Sequence, residues 1–588
     1  MNFFIVTACR NSRNIERCIK SVLSQSKQFW RMVIVDDCST DDTYDRATKA
    51  AKEDPRITII KNSKRKYALQ NIVESVWQYA GQDDVVVTLD GDDWLSDDQA
   101  LAEIEAEYHR TQADAIWTKY QNEDGTPGIS RKMTGDPISC GWTMSHLRTF
   151  KKYLIHGIRP EVFTDENGKW WRCAYDQAMY RPILKVAKKA HHFERVCMIY
   201  SPGQGDNKQT KQIETAEKIG KRLKHEFRNY STKNVLFIVN GKSEGCDPRF
   251  HQGERRHPLG VLTLAATLEA RGHNVALLDR FASPGTWPKP IIQWATHIGV
   301  SCTTPNFADA LTVLKMLQRY RKKKVIMAGG PHVVLHPESV KEWCDLVSVS
   351  EADHEIIDMV ENGTASPDKG RICNLDSVPL PSYRLAMDSP WQYTSGWDYD
   401  NTQKIVPMNT SRSCPHDCSF CDVKNIWGKT WIARSAERVI EDVRYVLRTT
   451  GAGGIYFRED NFCCSKKRIT AICEGLIREG IKTKWACEMR ADTGTDAKLM
   501  HLMADAGCVG IYIGAESGSD RMLKIYRKGI TRQQIVDTCA NAHVSGINVL
   551  MSIIEKHHEE TPEDKYLTKT MIDLCKPKRV NVCEYRED

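Results

Sequence analysis

No run in this 588-residue chain is apolar for long enough to cross a bilayer, which takes about 20 consecutive apolar residues. The opening MNFFIVTACRNSRN lacks the basic start and long apolar middle of a signal peptide. It reads instead as a first β-strand, and a cytoplasmic location is expected. Low-complexity tracts and short internal repeats are missing as well, which excludes solenoid and fibrous designs. Excess charge is small, +7 from 83 Lys and Arg against 76 Asp and Glu, so nucleic acid is not an expected partner. Cysteine is abundant, with 21 thiols. Without an export signal, a cluster of them reads as a metal site rather than a disulfide framework. With 41% apolar and 27% charged residues, the chain is globular. It is too long for one hydrophobic core and is expected to hold three or four domains.

Short apolar runs alternate with helical periods throughout, so the fold class is multidomain α/β. In the first domain (1–228), FFIVT (3–7), MVIVD (32–36), ITII (57–60) and VVVTLD (85–90) read as strands of a largely parallel sheet. A second α/β segment (234–370) starts at NVLFIVN. Its PLGVLTLAATLEARG places Val261, Leu264, Ala265 and Leu268 on one helical face, with Gly272 ending the helix. A Pro-, Asp- and Tyr-rich linker (371–405) follows. In the last segment (406–588), six strand–helix units fit a partial barrel.

Two stretches carry contrasting ligand chemistry. TLDGDDWL ends a strand in Asp90, Asp92 and Asp93, and VIVDDCSTDDT ends another in Asp36 and Asp37. Carboxylates at strand C-termini face the ligand crevice of an α/β sheet, and their oxygens suit Mg²⁺ or Mn²⁺ beside a diphosphate. A single Asp-Gly-Asp would be an ordinary acidic turn. TSRSCPHDCSFCDV puts Cys414, Cys418 and Cys421 in a C-x₃-C-x₂-C loop. Three thiolates hold three corners of an iron–sulfur cube and leave one iron open. The zinc alternative needs a fourth ligand, and Cys463 or Cys464 in EDNFCC would supply it.

In order and spacing, TACRNSRNIERCIKSVLSQ, VDDCSTDDT and TLDGDDWL resemble the family-two glycosyltransferases with a GT-A fold, over about residues 1–225. The resemblance implies a nucleotide-sugar donor and a glycan or glycosylated acceptor. Thr7 and Asp37 would lie near the base, with Asp36 close by, Asp90 near the ribose and Asp92 on the metal. Asp176, in WWRCAYDQAMYRPILKVA, would be the base that takes the acceptor's proton; its alternative role is that of a helix-start Asp. His146 and Arg148 are acceptor-side candidates.

The C-x₃-C-x₂-C loop resembles that of the radical S-adenosylmethionine (SAM) enzymes. Phe420 stands before its last cysteine, and RSAERVIEDVRYVL, IYFREDNF, CEMRAD and CVGIYIGAESGS follow in order. The likeness covers about 406–588. It implies a [4Fe-4S] cluster whose open iron chelates SAM, a one-electron reductant such as flavodoxin or ferredoxin, and a 5′-deoxyadenosyl radical. Phe420, Glu459, Asp460, Arg490 and Glu516 would contact SAM. The alternative role for the charged members is a barrel-interior salt bridge.

Residues 234–365 resemble the cobalamin-binding domain that precedes the barrel in one subclass. Pro258, Gly260, Ser301, Thr303, Gly329, Gly330 and Ser350 would contact cobalamin. The alternative is a Rossmann-like domain without a cofactor. Modules with a cobalt-ligating histidine read D-x-H-x-x-G, whereas RRHPLG has Arg255 at the Asp position, so His257 is not expected to ligate cobalt.

Three features depart from the subclass pattern. EKHHEET (555–561) keeps Glu560 and Thr561 but lacks the usual glycines and proline, and Ser413 and Ser350 stand where glycines are usual. The residues given end just after the sixth strand, where relatives continue into a substrate-covering segment. The expected function is bifunctional: glycosyl transfer plus cobalamin-dependent radical modification of an unactivated carbon, most plausibly methylation. The alternatives are rearrangement, dehydrogenation or methylthiolation without cobalamin methyl transfer, or an inactive cofactor-binding scaffold.

Overall fold

A computed structural model describes residues 1–81, 83–202, 209–241, 257–280, 287–365, 371–387 and 405–585. Arg255 and much of the 371–405 linker lie outside the described residues. The chain divides into two compact units, Met1–Thr232 with Thr267–Asn274, and Lys233–Ala266 with Val275–Asp588. Among the described residues no helix is long and apolar enough to cross a membrane.

The first unit is built on an eight-stranded sheet. Strands Ile57–Lys61, Trp30–Asp36, Phe3–Cys9 and Val85–Thr88 lie side by side in parallel. Phe3, Phe4, Ile5 and Val6 are all buried, because helices cover both faces of a parallel sheet and every side chain of a central strand points into a core. Helix Ile15–Leu23 buries Ile15, Cys18, Ile19 and Val22, the i, i+3, i+4, i+7 stripe. The other half of the sheet is mixed rather than parallel. Arg148–Lys151 runs antiparallel to Val85–Thr88 with Arg148 opposite Thr88. That register carries Arg148 to the sheet edge where Asp36 and Asp90 emerge. RTFK is four residues long and bracketed by charge, too short for periodicity to reveal it.

The second unit holds two sheets. In the smaller, Asn274–Asp279, Asn234–Val239, His297–Ser301, Val325–Gly329 and Leu346–Val347 lie in that spatial order, which is 2-1-3-4-5 in chain order, a doubly wound arrangement. Helix Leu259–Ala270 buries Val261, Ala265 and Leu268 of the expected face and leaves Leu264 half-buried, and it also buries Leu259 and Leu262. The last two join the core of the larger sheet, so the helix has apolar neighbours on two sides. The larger sheet has six parallel strands in sequential order: Ile405–Met408, Gly454–Phe457, Lys484–Met489, Cys508–Glu516, Asn548–Glu555 and Arg579–Glu584. Ser435, Ser465 and Thr531 cap helices between them. Thr561 does the same with a capping box to Asp564, so its hydroxyl is committed to a helix N-terminus.

Candidate functional site

In the first unit, three strand ends and one helix start converge. Asp37 is tied down by three hydrogen bonds: its Oδ1 accepts from Asn62 Nδ2 (2.9 Å) and Lys66 N (2.8 Å), and its Oδ2 from Tyr67 N (2.8 Å). Burial alone would raise its pKa, but the amides of Lys66, Asn62, Asn71 and Tyr67 hold it below the ordinary carboxylate value. Asp36 is 1% exposed and Thr7 is fully buried. Asp90 accepts from the Tyr175 hydroxyl at 2.9 and 3.0 Å. Tyr175 opens the helix Tyr175–Val186 that carries Asp176. Asp176 Oδ2 accepts from Trp142 Nε1 (2.8 Å), and the buried Arg148 guanidinium lies 3.5 Å away. The two carboxylates are therefore linked through adjacent residues of one helix turn. Tyr175 escaped the sequence reading, although it adjoins Asp176; Trp142 opens WTMSHLRTFKK (142–152), the acceptor-side stretch that also holds His146 and Arg148.

The acidic triplet divides its labour. Asp92 Oδ1 accepts from Ser12 Oγ (2.8 Å) and Arg13 N (2.9 Å), which ties it to the first strand–helix turn. Asp90, Asp93 and His146 instead present ligand atoms within 4.8 Å of one another. Asp93 is pushed up to about 8, first by burial and then by the charge of Asp90. His146 stacks on Tyr200 at 5.3 Å. Burial and the Arg148 charge hold its imidazole well below its usual value.

A stability prediction follows from Asp93. A carboxyl whose pKa is raised on folding binds more protons folded than unfolded, so it costs stability as pH rises from about 4 through about 8. Asp93→Asn, which keeps an acceptor for Ser201 N, is expected to raise the melting temperature in cation-free buffer. The advantage should grow by up to about 1.4 kcal/mol per pH unit over that window and level off above it. Melting curves from pH 5 to 9 check this, and a constant difference would contradict it.

In the second unit, the cysteine loop follows the first barrel strand. Cys418 is buried, and Cys414 and Cys421 are half-buried. Tetrahedral zinc holds its thiolates about 3.8 Å apart, given a Zn–S bond of about 2.3 Å. Among the described residues, these three sulfurs form no group with all ligand atoms within 4.8 Å, and neither Cys463 nor Cys464 completes one. Ser413, where a glycine is usual, has φ +71°, and its Oγ donates to Gly428 O at 2.5 Å.

Glu459 is 4% exposed. Its Oε1 takes the Thr410 backbone N–H and the Thr410 hydroxyl (2.6 Å), and its Oε2 takes the Ser411 hydroxyl. It braces the arm that enters the cysteine loop. Asp460 is pushed up to about 6, first by burial, then by Glu488 and Glu459. Phe420 packs edge-on to Tyr526 at 5.7 Å. A bulge at Gly514/Glu516 interrupts the fourth strand and turns Glu516 inward. There its carboxylate accepts from Lys528 Nζ (2.8 Å) and Ser552 Oγ (3.0 Å). Arg490 donates to the Lys528 carbonyl at 2.7 Å. Lys528, only 8% exposed, thus joins Arg490 to Glu516, and no spacing in the sequence announces it. Glu560 Oε2 accepts from Lys556 N at 3.1 Å.

A cavity of about 720 Å³ opens over the C-terminal ends of the smaller sheet and reaches Glu459, Asp460 and Glu488 of the barrel. All seven residues assigned to cobalamin line it. Among the described residues, two amide oxygens on its wall, Asn240 Oδ1 and Asn306 Oδ1, are buried without a hydrogen-bond partner. Among the described residues, nothing lies within 4 Å of the Cβ position at Gly260. Orphaned acceptors and an open backbone shelf fit a large amide-bearing ligand such as cobalamin. His257 is 2% exposed and packs edge-on to Tyr383 at 5.8 Å.

Gly330 is needed for a reason the sequence did not show. Its φ is +106°, and a Cβ would lie 2.6 Å from Cys302 O. Gly330→Ala is expected to cost about 1–3 kcal/mol through backbone strain, read as a lower denaturation midpoint. An unchanged midpoint would contradict that reading.

Comparison with known proteins gives three family-model matches: "Glycosyl transferase family 2" over residues 3–173, "B12 binding domain" over 252–358 and "Radical SAM superfamily" over 408–569. An uncharacterized methyltransferase of Pyrococcus horikoshii is 32% identical over 351 residues, covering 54% of this chain and 74% of that protein. The anaerobic magnesium-protoporphyrin IX monomethyl ester cyclase of Synechocystis is 24% identical over 321 residues, 50% of this chain and 63% of that protein. Among solved structures, the cobalamin-dependent SAM radical enzyme OxsB with aqua-cobalamin and SAM bound aligns with a TM-score of 0.49 at 20% identity. That alignment covers 61% of this chain and 53% of that one.

Proposed function

The chain belongs to the radical SAM enzymes that carry a B12-binding domain, with a family-two glycosyltransferase domain ahead of them, and from that premise we propose that it is bifunctional. One half transfers a sugar from a nucleotide donor, and the other modifies an unactivated carbon by cobalamin-dependent methylation. The observation that carries the second activity is the single cavity in which the B12-domain residues meet Glu459 and Asp460. A cluster on the cysteine loop would supply the electron that cleaves SAM, and cobalamin in that cavity would supply a carrier for the methyl group.

This chain's own residues do the rest. Cys414, Cys418 and Cys421 would hold three irons and leave the fourth for SAM. Glu459 keeps the loop arm in place through Thr410 and Ser411. Arg490 and Glu516, joined through Lys528, orient the polar end of SAM, and Phe420 borders its adenosyl part. In the glycosyltransferase half, Asp176 takes the acceptor proton while Trp142 and Arg148 fix its carboxylate. Asp90 faces the ribose. The cation is held at the acidic strand end, by Asp92 or by the Asp90–Asp93–His146 group.

Anaerobic purification with iron, sulfide and cobalamin quantified, followed by assay of 5′-deoxyadenosine formed from SAM by the reduced protein, tests the radical half. Nucleoside diphosphate release from a panel of nucleotide sugars tests the other. We also propose that both act on one product. Methyl label from SAM appearing in the product that carries the transferred sugar supports this, and persistent absence of that label removes it.

A further inference from the structure

The arm that leads into the cysteine loop is held from two sides. On the barrel side, Thr410 and Ser411 are bound by Glu459. On the other side, the next residue reaches the smaller sheet's domain. Arg412 Nη1 donates to Asp353 Oδ2 at 2.7 Å and Nη2 to Asp353 Oδ1 at 2.8 Å, the parallel two-bond fork of guanidinium on carboxylate. Its Nη1 also lies 3.6 Å from Glu351 Oε2. Glu351 in turn accepts from Arg371 Nη2 (3.2 Å) and Ile372 N (3.0 Å).

Asp353 is 5% exposed. Burial would raise its pKa, but the Arg412 charge holds it below the ordinary carboxylate value. Asp353 lies in the first turn of helix Ala352–Glu361, three residues after the cavity-lining Ser350. Arg412 lies two residues before Cys414, in the short ladder Ser411–Arg412 with Ile432–Ala433. One largely buried ion pair, with the Arg412 side chain 15% exposed, therefore joins the rim of the B12-domain crevice to the entry of the cysteine loop.

We propose that Arg412 is a positioning residue that fixes the separation between the B12-domain crevice and the cluster loop. Arg412 and Asp353 both lie in the wall of the cavity, where the two-bond fork acts as a rigid spacer. Moving a methyl group between two cofactors needs one reproducible spacing, and a buried pair with no slack supplies it. Lysine at 412 keeps the charge but cannot make the two-bond fork. The functional consequence rests on the cobalamin reading above; the mechanical claim does not.

The test compares wild type with Arg412→Lys, Asp353→Asn and the exchanged pair Arg412→Asp/Asp353→Arg. Amide hydrogen exchange on the cofactor-free chain reads the clamp alone. Both singles are expected to raise exchange about tenfold or more in segments 348–353 and 411–421 together, and the exchanged pair to restore protection in part. Exchange that changes in one segment only, or in neither, overturns the clamp.

In protein loaded with cluster and cob(II)alamin, the reduced cluster is expected to speed relaxation of the cob(II)alamin EPR signal in wild type. That enhancement should fall in both singles while iron and cobalamin contents stay at the wild-type level. An Arg412→Lys variant that loses either cofactor would make Arg412 part of a cofactor site and overturn the proposal. A wild type that takes up no cobalamin would remove the cobalamin reading, while the exchange result would still decide the clamp.

Discussion

Cys418→Ala is expected to strip the second unit of bound iron and sulfide and to bring 5′-deoxyadenosine formation down to background. Cys418 is the most buried of the three loop thiols, and its backbone carbonyl accepts from Cys421 N at 3.3 Å, so it anchors the tight end of the loop. Two remaining thiolates leave two irons without protein ligands, too few to retain a cubane. Cys464→Ala separates the rival chemistries. A four-thiolate zinc site completed by Cys464 would lose its metal, whereas a three-thiolate cluster would keep its iron and its SAM cleavage. Iron, sulfide and zinc assays on the two variants, with product quantified, read both outcomes.

Asp176→Asn is expected to lower glycosyl transfer about 10²- to 10⁴-fold, the usual contribution of a positioned general base. The donor KM should change little, and 5′-deoxyadenosine formation should stay at the wild-type rate. Asparagine keeps the shape and still accepts from Trp142 Nε1, so only the proton-accepting charge is lost. Nucleoside diphosphate release with the donor that wild type consumes measures the effect. Full activity in this variant would leave Asp176 with the structural role of an acidic residue in a helix first turn.

Elements with strong periodicity were legible before any coordinates. The parallel strands of the first unit, the stripe on Ile15–Leu23 and the six strand–helix units of the barrel all announce themselves, because burial on one or both faces imposes a repeat. RTFK at 148–151 did not, being a four-residue strand whose placement comes from pairing with Val85–Thr88. The same distinction holds for the sites. The cysteine loop and the acidic strand ends are local in sequence, so their chemistry shows in their spacing. Arg412 with Asp353, and Lys528 with Glu516, are pairs made by tertiary packing across 59 and 12 positions, and no local pattern marks them.

Hydrogen bonding distinguishes residues that residue type alone does not. Asp92 sits in the strongest acidic motif, yet its Oδ1 is engaged by Ser12 and Arg13, while Asp93, one position on, joins Asp90 and His146. Glu459 has the chemistry of a SAM contact, but both its oxygens are engaged by Thr410 and Ser411. Gly330 answers to its own backbone angle and the Cys302 carbonyl.

The most direct test of the radical half is EPR spectroscopy of the anaerobically reconstituted, dithionite-reduced protein before and after addition of SAM. The account predicts a [4Fe-4S]⁺ signal whose g-values shift when SAM is added, as SAM coordinates the iron that no cysteine holds. A cluster signal that SAM leaves unchanged, or a protein that binds zinc in place of iron, would contradict it.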